Sequence, residues 1–380
     1  MVATDSYAGG DGRLSPLSTP SATRAVLEAH GIGTKYTLGQ NFLVNDDVLK
    51  KIIALAEVGE NDRVLEVGPG IGTLTIALLK HAASVIAIER DPDLPAVLAD
   101  TLHPWREKFA LIEKDALDVT RDDIVAAMVE IGGDTGYPDR ASSAANETAQ
   151  WAVSQSEDCL SESGYPVAPP QEDLQLSLPS KLVANLPYAV AATVVLDYFE
   201  SFPFLDSATI MVQKEVADRM VAAVGTKNYG AYTVKLGLYA EPAGRFAVGP
   251  GNFFPPPRVD SAVIRLNRRV PLMADGAPAS PEVIAAAALM ADAAFTNRRK
   301  TIANSCKTYF SGRGPILLGV ADSSAAEGAP TIALPDGAAT AERLPAIFEA
   351  AAIDPRRRGE TLTQQEFLAL GAALLRVTAA

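Results

Sequence analysis

The apolar positions in the first two thirds of the chain follow two alternating periods. Short β-branched runs at 63–68 and 84–89 flank a stretch, 72–82, in which apolar residues recur at helical spacing. Two further runs, 182–185 and 209–213, continue the series, and a helix-like segment follows each of them. Strands that alternate with helices form parallel βαβ units. The pattern therefore predicts an α/β fold built on an open, doubly wound sheet.

Helical spacing dominates the last third of the chain, which predicts a smaller all-helical domain over 271–380 after an α/β domain over 21–270. Three other segments lack either period and are rich in Gly, Ser, Ala or Pro. A long segment without periodicity inside a compact domain is typical of a surface insertion. The composition predicts a disordered tail at 1–20, a disordered acidic insertion at 131–179 and a loose insertion at 311–340.

The formal net charge of −13 argues weakly against a nucleic-acid partner, because neutralisation of phosphates drives such binding. The acids are unevenly distributed, since residues 131–180 hold eight acidic side chains against one arginine. Basic runs at 298–300 and 356–358 remain available for phosphate contacts. The charge pattern therefore leaves an RNA partner open.

The chain contains neither a signal-peptide pattern at its first residues nor an apolar run that approaches the roughly 20 residues of a membrane span. Two cysteines, Cys159 and Cys306, are too few for a disulfide framework or a zinc site, and the three histidines have no ligand spacing. No extended apolar interaction helix is evident. We expect a monomeric cytoplasmic protein without a metal.

A glycine-rich turn follows the first predicted strand, with the sequence Glu-Val-Gly-Pro-Gly-Ile-Gly at 66–72. Glycines at a strand end let the backbone approach a ligand closely, and a helix N-terminus follows. The G-x-G-x-G spacing, with Glu66 ahead of Gly68, differs from the dinucleotide fingerprint. Glu89 ends the next strand, where a carboxylate can accept hydrogen bonds from both ribose hydroxyls. Asp115 follows the strand after that one, ahead of the run at 182–185, and it could meet an adenine amino group there. These residues favour a nucleoside cofactor over a purely structural turn.

The chemical site is predicted at Asn185-Leu186-Pro187-Tyr188, at the carboxyl end of a strand. These residue types suit a reaction at the exocyclic amine of adenine. That amine is a poor nucleophile, because its lone pair is delocalised into the ring. The side-chain oxygen of Asn185 and the carbonyl of Leu186 or Pro187 can accept hydrogen bonds from the two N–H groups of the amine, while Tyr188 stacks on the base. The alternative is a strand-end turn with a half-buried tyrosine.

These motifs resemble those of the ribosomal RNA adenine N6,N6-dimethyltransferases, specifically the bacterial small-subunit enzymes. The resemblance covers roughly 30–130, 180–310 and 342–372. The segments that carry it, besides the two sites above, are Leu38-Gly39-Gln40-Asn41-Phe42-Leu43, Gln213-Lys214-Glu215-Val216, Tyr229-Gly230, the run from Phe253 to Val263, and parts of 353–367.

The resemblance implies a Rossmann-like fold and S-adenosyl-L-methionine as the cofactor. It implies that Asn41 and Leu43 hold the methionine end of the cofactor, and that Phe253 is the second aromatic stacked on the target adenine. The remaining cofactor contacts that it implies are Gly68, Glu89, Asp115 and Asn185.

The implied reaction is dimethylation of N6 of two adjacent adenosines near the 3′ end of 16S rRNA, in the immature 30S subunit, as a step of ribosome biogenesis. Reaching N6 requires an unpaired or flipped adenine. The helical C-terminal domain and its basic runs would hold the RNA backbone.

Three other functions stay open at this point. A large-subunit rRNA adenine methyltransferase of the macrolide-resistance type would use the same chemistry on another RNA. A DNA N6-adenine methyltransferase would normally carry two prolines where this chain has only Pro187. A ribosome-assembly factor without catalysis could keep the fold, although the intact Asn185 and Tyr188 disfavour it.

Overall fold

The computed structural model describes residues 12–32, 41–131, 178–319 and 331–379. Nine strands and eight helices form the α/β part of these ranges. The strands are β1 (Phe42–Leu43), β2 (Arg63–Val67), β3 (Ser84–Ile88), β4 (Phe109–Ile112), β5 (Lys181–Asn185), β6 (Ser207–Gln213), β7 (Ala240–Val248), β8 (Phe253–Phe254) and β9 (Ser261–Arg268). The helices are α1 (Pro20–Ala29), α2 (Asp46–Ala56), α3 (Thr73–Leu79), α4 (Pro95–Thr101), α5 (Arg121–Glu130), α6 (Ala191–Ser201), α7 (Lys214–Met220) and α8 (Ala231–Tyr239).

A seven-stranded sheet in the order β4-β3-β2-β5-β6-β9-β7 forms the centre of this part. The pairs from β4 to β6 are parallel, which confirms the doubly wound prediction for the four apolar runs. The edge beyond β6 is antiparallel, because β9 pairs with both β6 and β7. The strand order reverses between β2 and β5, and a crevice forms outside the carboxyl ends of strands at such a switch point.

Helices cover both faces of the sheet, so that its parallel strands are buried on two sides. One core joins the sheet to α1–α4, with fully buried Leu49, Ile76 and Leu98. The other joins it to α5–α7, with fully buried Ile124 and Val194. These cores hold the carboxyl ends of β2, β3 and β5 in fixed register.

The C-terminal part is mainly helical and has its own core, but the prediction that it is all-helical is wrong, because one pair of strands packs against the helices. It contains α9 (Pro281–Phe295), α10 (Ile302–Phe310), α11 (Gly337–Ala350) and α12 (Gln364–Ala379), together with two strands, β10 (Pro315–Gly319) and β11 (Thr331–Asp336). The core also includes Tyr229 and Val234 from the α/β part, and the Tyr229 hydroxyl donates to the Leu362 carbonyl at 2.8 Å. The two parts therefore share a packed interface.

The prediction of a loose insertion at 311–340 is wrong for most of its length. The strands β10 and β11 pair antiparallel, and α11 begins within the segment. The physical reason is the alternation of apolar residues that the Gly/Ala/Pro-rich composition obscures, since Leu318 and Leu334 are buried against the C-terminal core. Residues 320–330 lie outside the described residues.

The prediction of a disordered tail at 1–20 is wrong for residues 12–20. Leu17 is 1% exposed, and the backbone N–H groups of Leu14 and Ser15 donate to the Asp46 carboxylate at the start of α2. Burial of Leu17 and capture by a carboxylate anchor a segment whose composition alone suggests disorder. Residues 1–11 and 132–177, which include almost all of the predicted acidic insertion, lie outside the described residues.

Candidate active site

A cavity of about 510 Å³ opens at the carboxyl ends of β2 to β6. Nine of the ten residues predicted for the two sites line it, and they come from segments far apart in the sequence. They are Asn41, Leu43, Gly68, Glu89, Asp115, Asn185, Leu186, Pro187 and Tyr188. The structure thus brings the predicted cofactor turn and the predicted chemical site to a single cavity.

The glycine turn contacts the chemical site directly. Gly68 has a φ of +71°, a conformation that L side chains rarely adopt, and a Cβ atom there would lie 3.4 Å from Pro187 Cδ. Gly70 has a φ of +61°, and a Cβ there would lie 3.2 Å from the ring of Phe42. Side chains at these two positions would be strained and would fill the space between the strand ends.

Glu89 is fixed by the backbone that follows it. Its Oε1 atom accepts from the N–H groups of Arg90 and Asp91, both at 2.9 Å. Burial raises the pKa of the Glu89 carboxyl, and these backbone N–H groups oppose the rise. The side chain is therefore oriented at the end of β3, where a ribose contact was predicted.

Asp115 forms an ion pair that the sequence analysis did not predict. The Nη1 atom of Arg90 donates to its Oδ2 atom at 2.7 Å, and the Leu117 N–H donates to its Oδ1 atom. The Arg90 guanidinium holds the pKa of Asp115 below its usual value. Arg90 also lines the cavity, and its position directly after Glu89 is the signal that could have identified it.

Glu66 lies at the end of β2 and lines the cavity although it is only 1% exposed. Burial raises the pKa of its carboxyl to about 8, the nearby Thr75 hydroxyl opposes the rise, and the charge of Glu89 adds to it. Within the described ranges, its Oε2 atom has no hydrogen-bond partner. This carboxyl is therefore a buried acid that is mostly neutral at pH 7.

Asn185 is oriented by a contact with the N-terminal motif. Its Nδ2 atom donates to the backbone carbonyl of Asn41 at 3.2 Å. A carbonyl oxygen can only accept, so this contact fixes which end of the amide is the nitrogen. The Oδ1 atom consequently lies at the opposite end of the amide, as an acceptor.

The carbonyls of Leu186 and Pro187 are the two candidates for the second acceptor of the adenine amine, and they differ in their hydrogen-bond partners. The Pro187 carbonyl already accepts from Val190 and Ala191 at the start of α6, at 3.2 and 3.1 Å. No described residue donates to the Leu186 carbonyl, whereas the Leu186 N–H donates to Met211 in β6 at 3.1 Å. The Leu186 carbonyl is therefore the better second acceptor for an amine.

Tyr188 is held through its hydroxyl, which lies 2.6 Å from the hydroxyl of Ser261 at the start of β9. Burial raises the pKa of the Tyr188 hydroxyl, and the contact with Ser261 opposes the rise. The ring remains half-buried at the wall of the cavity. Ser261 is a positioning residue that sequence reasoning did not single out, although it lies in the Val-Asp-Ser-Ala run of the family motif.

Phe253 is the one predicted site residue that does not line the cavity. It lies in β8, directly opposite Leu43 of β1, and its side chain is 4% exposed within the core. The neighbouring Phe254 is half-buried, with the guanidinium of Arg24 5.1 Å from its ring centroid. Phe253 thus lies beside Leu43 in the core and outside the cavity lining, and its stacking role stays a prediction.

Membrane-spanning helices and metal-binding clusters are both absent from the described residues. No helix there has the length and apolarity needed to cross a membrane. No group of three or more His, Cys, Asp or Glu side chains there could hold a metal ion.

Comparisons with known proteins agree with this geometry. Residues 33–329 match the family described as "Ribosomal RNA adenine dimethylase". The chain is 32% identical over 361 residues to the "Ribosomal RNA small subunit methyltransferase A" of Geobacillus sp. (strain WCH70), covering 95% of this chain and 98% of that protein. It is also 32% identical over 355 residues to the protein of the same name from Staphylococcus aureus (strain Newman), covering 93% of this chain and 94% of the relative.

Among solved structures, the chain resembles a dimethyladenosine transferase from Plasmodium falciparum, with a TM-score of 0.54 and 20% identity over 87% of this chain and 95% of that one. This likeness supports the Rossmann-like fold class. The family match and the near-complete coverage of the curated relatives lead to one conclusion: the chain belongs to the ribosomal RNA adenine dimethylase family.

Proposed function

We propose that this protein uses S-adenosyl-L-methionine to dimethylate N6 of two adjacent adenosines near the 3′ end of 16S rRNA, in the immature 30S subunit. The observation that carries the proposal is the fixed amide of Asn185, which presents an acceptor oxygen at a cavity shared with the glycine turn. The small-subunit name of both curated relatives supports this choice of RNA. This substrate also accounts for a role in ribosome biogenesis and a cytoplasmic location, and a monomer remains our expectation.

The residues around the cavity fit the cofactor. The positive φ at Gly68 and Gly70 forms a cradle that Cβ atoms would fill, and Glu66 presents a buried atom without a hydrogen-bond partner in the described part of the chain. The strand order β4-β3-β2-β5 sets Asp115, Glu89, Gly68 and Asn185 in sequence along one edge of the sheet. We assign the adenine to Asp115 and the ribose to Glu89. The methionine portion then lies near the glycine turn, with Asn41 and Leu43. When bound, the cofactor supplies an electrophilic methyl group.

Asn185 and Leu186 position the amine that receives this group. Their oxygens accept hydrogen bonds from the two N–H groups of the adenine N6. These bonds draw the nitrogen toward tetrahedral geometry and direct its lone pair at the methyl carbon. The methylated amine loses its proton readily, so no strong general base is required. Proximity and alignment account for most of the rate.

Tyr188 stacks on the flipped adenine, with its ring held by the contact to Ser261. We propose Phe253 as the second stacking residue. Because Phe253 is buried beside Leu43 and does not line the cavity, this role requires the β1–β8 pair to shift when the base enters. The same pocket must admit N6-monomethyladenine for the second transfer.

The RNA backbone is assigned to a basic surface formed by Arg298, Arg299, Lys300, Arg356, Arg357 and Arg358. The two runs are adjacent in space, because the Ile302 N–H donates to the Arg357 carbonyl at 2.7 Å. Arg298, Arg356 and Arg357 are each paired with a carboxylate, so part of the charge is neutralised locally. The remaining positive charge of this surface would contact the RNA phosphates.

One experiment separates the candidate functions. The purified protein is incubated with methyl-labelled cofactor and immature 30S subunits that lack N6-dimethyladenosine, and the product is mapped by nuclease digestion and mass spectrometry. Dimethyladenosine near the 16S 3′ end supports the proposal. Label found only in 50S precursors or free 23S RNA would assign the protein to the large-subunit type. Tight binding to pre-ribosomes without any transfer would indicate an assembly factor.

A further inference from the structure

Glu66 has three properties that no role described so far explains. It lines the cavity, it is 1% exposed, and its Oε2 atom lacks a hydrogen-bond partner among the described residues. Thr73, at the start of α3, also lines the cavity with an unpartnered buried hydroxyl. Unsatisfied buried polar atoms are rare in native proteins and commonly mark a place for a ligand or an ordered water.

The charged groups around Glu66 do not neutralise it. The Glu89 carboxyl on β3 disfavours its ionised form, and the neutral Thr75 hydroxyl on α3 favours it. Thr73 and Asn185, which line the same cavity, carry no charge. Among the described residues, the two cations that line the cavity belong to other carboxylates, since Arg90 pairs with Asp115 and Lys114 with Asp123. A buried carboxyl in such surroundings retains its proton.

The ligand assigned to this cavity would supply the missing positive charge. Glu66 precedes the glycine turn on β2, between Glu89 on β3 and Asn185 on β5. This is the stretch to which the methionine portion of the cofactor was assigned. That portion carries an α-ammonium, a sulfonium and an α-carboxylate, so its net charge is positive. An opposite charge at close range favours the ionised form of a carboxyl.

We propose that Glu66 is the acid at the floor of the cofactor cavity and that it releases its proton to solvent when the positively charged methionine portion binds. The inference rests on the proposed cofactor, and it adds a proton-coupled binding step to the proposed function. A positive ligand charge replaces the carboxyl proton, so the cavity exchanges one positive charge for another. Glu66 in this role positions the cofactor and does not touch the target base.

Isothermal titration calorimetry of the full chain with S-adenosylmethionine tests this step. Titrations at pH 7 in two buffers of different ionisation enthalpy give the number of protons released. A carboxyl with a pKa of about 8 is roughly nine-tenths protonated at pH 7, so the wild type should release close to one proton more than Glu66→Gln. The cofactor's own amine also titrates, and the difference between the two proteins removes its contribution. Exposed Glu60, which is absent from the cavity lining, provides the matched control Glu60→Gln, which should behave as wild type.

The affinity should change with pH in the same way. Between pH 6 and 8 the dissociation constant of the wild type should fall up to tenfold more per pH unit than that of Glu66→Gln. S-adenosylhomocysteine, which lacks the sulfonium, identifies the ligand charge that displaces the Glu66 proton. Glu66-dependent proton release with both ligands assigns this role to the ammonium. Proton release with S-adenosylmethionine alone assigns it to the sulfonium. Binding with equal proton release in wild type and Glu66→Gln would overturn the inference and leave the proposed function standing. Absence of cofactor binding by the wild type would overturn both.

Discussion

The side-chain amide of Asn185 and the backbone carbonyl of Asn41 are joined by a hydrogen bond of 3.2 Å, across 144 positions of sequence. This bond connects the segment before β1 to the end of β5. Because it occupies the amide nitrogen, it leaves the amide oxygen as the end available to an adenine amine.

Replacement of Asn185 by Ala removes the acceptor oxygen and should lower kcat for methyl transfer by about 100-fold or more, the magnitude typical of a lost polar contact to a reacting group. Cofactor affinity should change less than kcat, because the glycine turn and Glu89 are intact. Single-turnover methylation of 30S subunits and calorimetric cofactor binding measure the two effects. A kcat within threefold of wild type would exclude the proposed role of this side chain.

The ring of Tyr188 should matter more than its hydroxyl. Tyr188→Phe and Ser261→Ala each remove one partner of the 2.6 Å contact but keep the ring, so each should reduce kcat/KM only a few-fold. Tyr188→Ala removes the stacking surface, and its loss should be at least tenfold greater, in line with the roughly 1–3 kcal/mol of base–aromatic stacking. Equal losses for the Phe and Ala variants would assign the function to the hydroxyl instead.

Replacement of Gly68 or Gly225 by Ala distinguishes the effect of backbone strain from an effect on the cavity. Both have positive φ, +71° and +80°, so Ala at either should lower the free energy of unfolding by about 1–2 kcal/mol. Only Gly68 lies at the cavity, where the new Cβ meets Pro187, whereas nothing lies within 4 Å of a Cβ at Gly225. Gly68→Ala should therefore weaken cofactor binding at least tenfold, and Gly225→Ala should not. Similar affinities for the two variants would contradict the proposed cradle.

The stability of the ligand-free protein should report the burial of Glu66. Its carboxyl has a pKa of about 8 when folded and 4.5 as the reference value for the unfolded chain. The folded state therefore holds the proton between pH 4.5 and 8 while the unfolded state releases it, so this contribution to stability is full below pH 4.5 and is lost as the pH rises toward 8. The loss is up to about 1.4 kcal/mol per pH unit.

Glu66→Gln cannot ionise and should lack this loss. Urea unfolding of both proteins at pH 5, 6, 7 and 8 should give free energies that diverge with rising pH, to the advantage of the variant. Parallel curves would show that Glu66 is ionised in the folded protein already.

Replacement of Lys300 by Ala tests whether the basic surface binds RNA. Lys300→Ala should weaken binding to 30S subunits and reduce the slope of log K against log salt by close to one, because one phosphate contact is lost. Exposed Lys51 on α2 lies outside this surface and serves as the matched control. Filter binding over a range of salt concentrations gives both slopes. Equal slopes for Lys51→Ala and Lys300→Ala would place the RNA elsewhere.

The sequence by itself determined the local features of this protein. The four apolar runs became parallel strands, and the turn from Glu66 to Gly72 adopted positive φ at its glycines. Asn185 also fell at a strand end, as predicted. Such features depend on the side-chain period of a strand and on the conformations open to glycine, which act over a few residues.

Only the tertiary structure decided which groups meet. The amide direction of Asn185, the pairing of Arg90 with Asp115 and the burial of Phe253 beside Leu43 all depend on segments that approach from distant parts of the chain. Residues 12–19 are held in the same way, since the carboxylate and the apolar surface that anchor them lie on α2 and its neighbours. Composition and periodicity describe one segment at a time, and they carry no information about the partner that a buried or charged group will find in the fold.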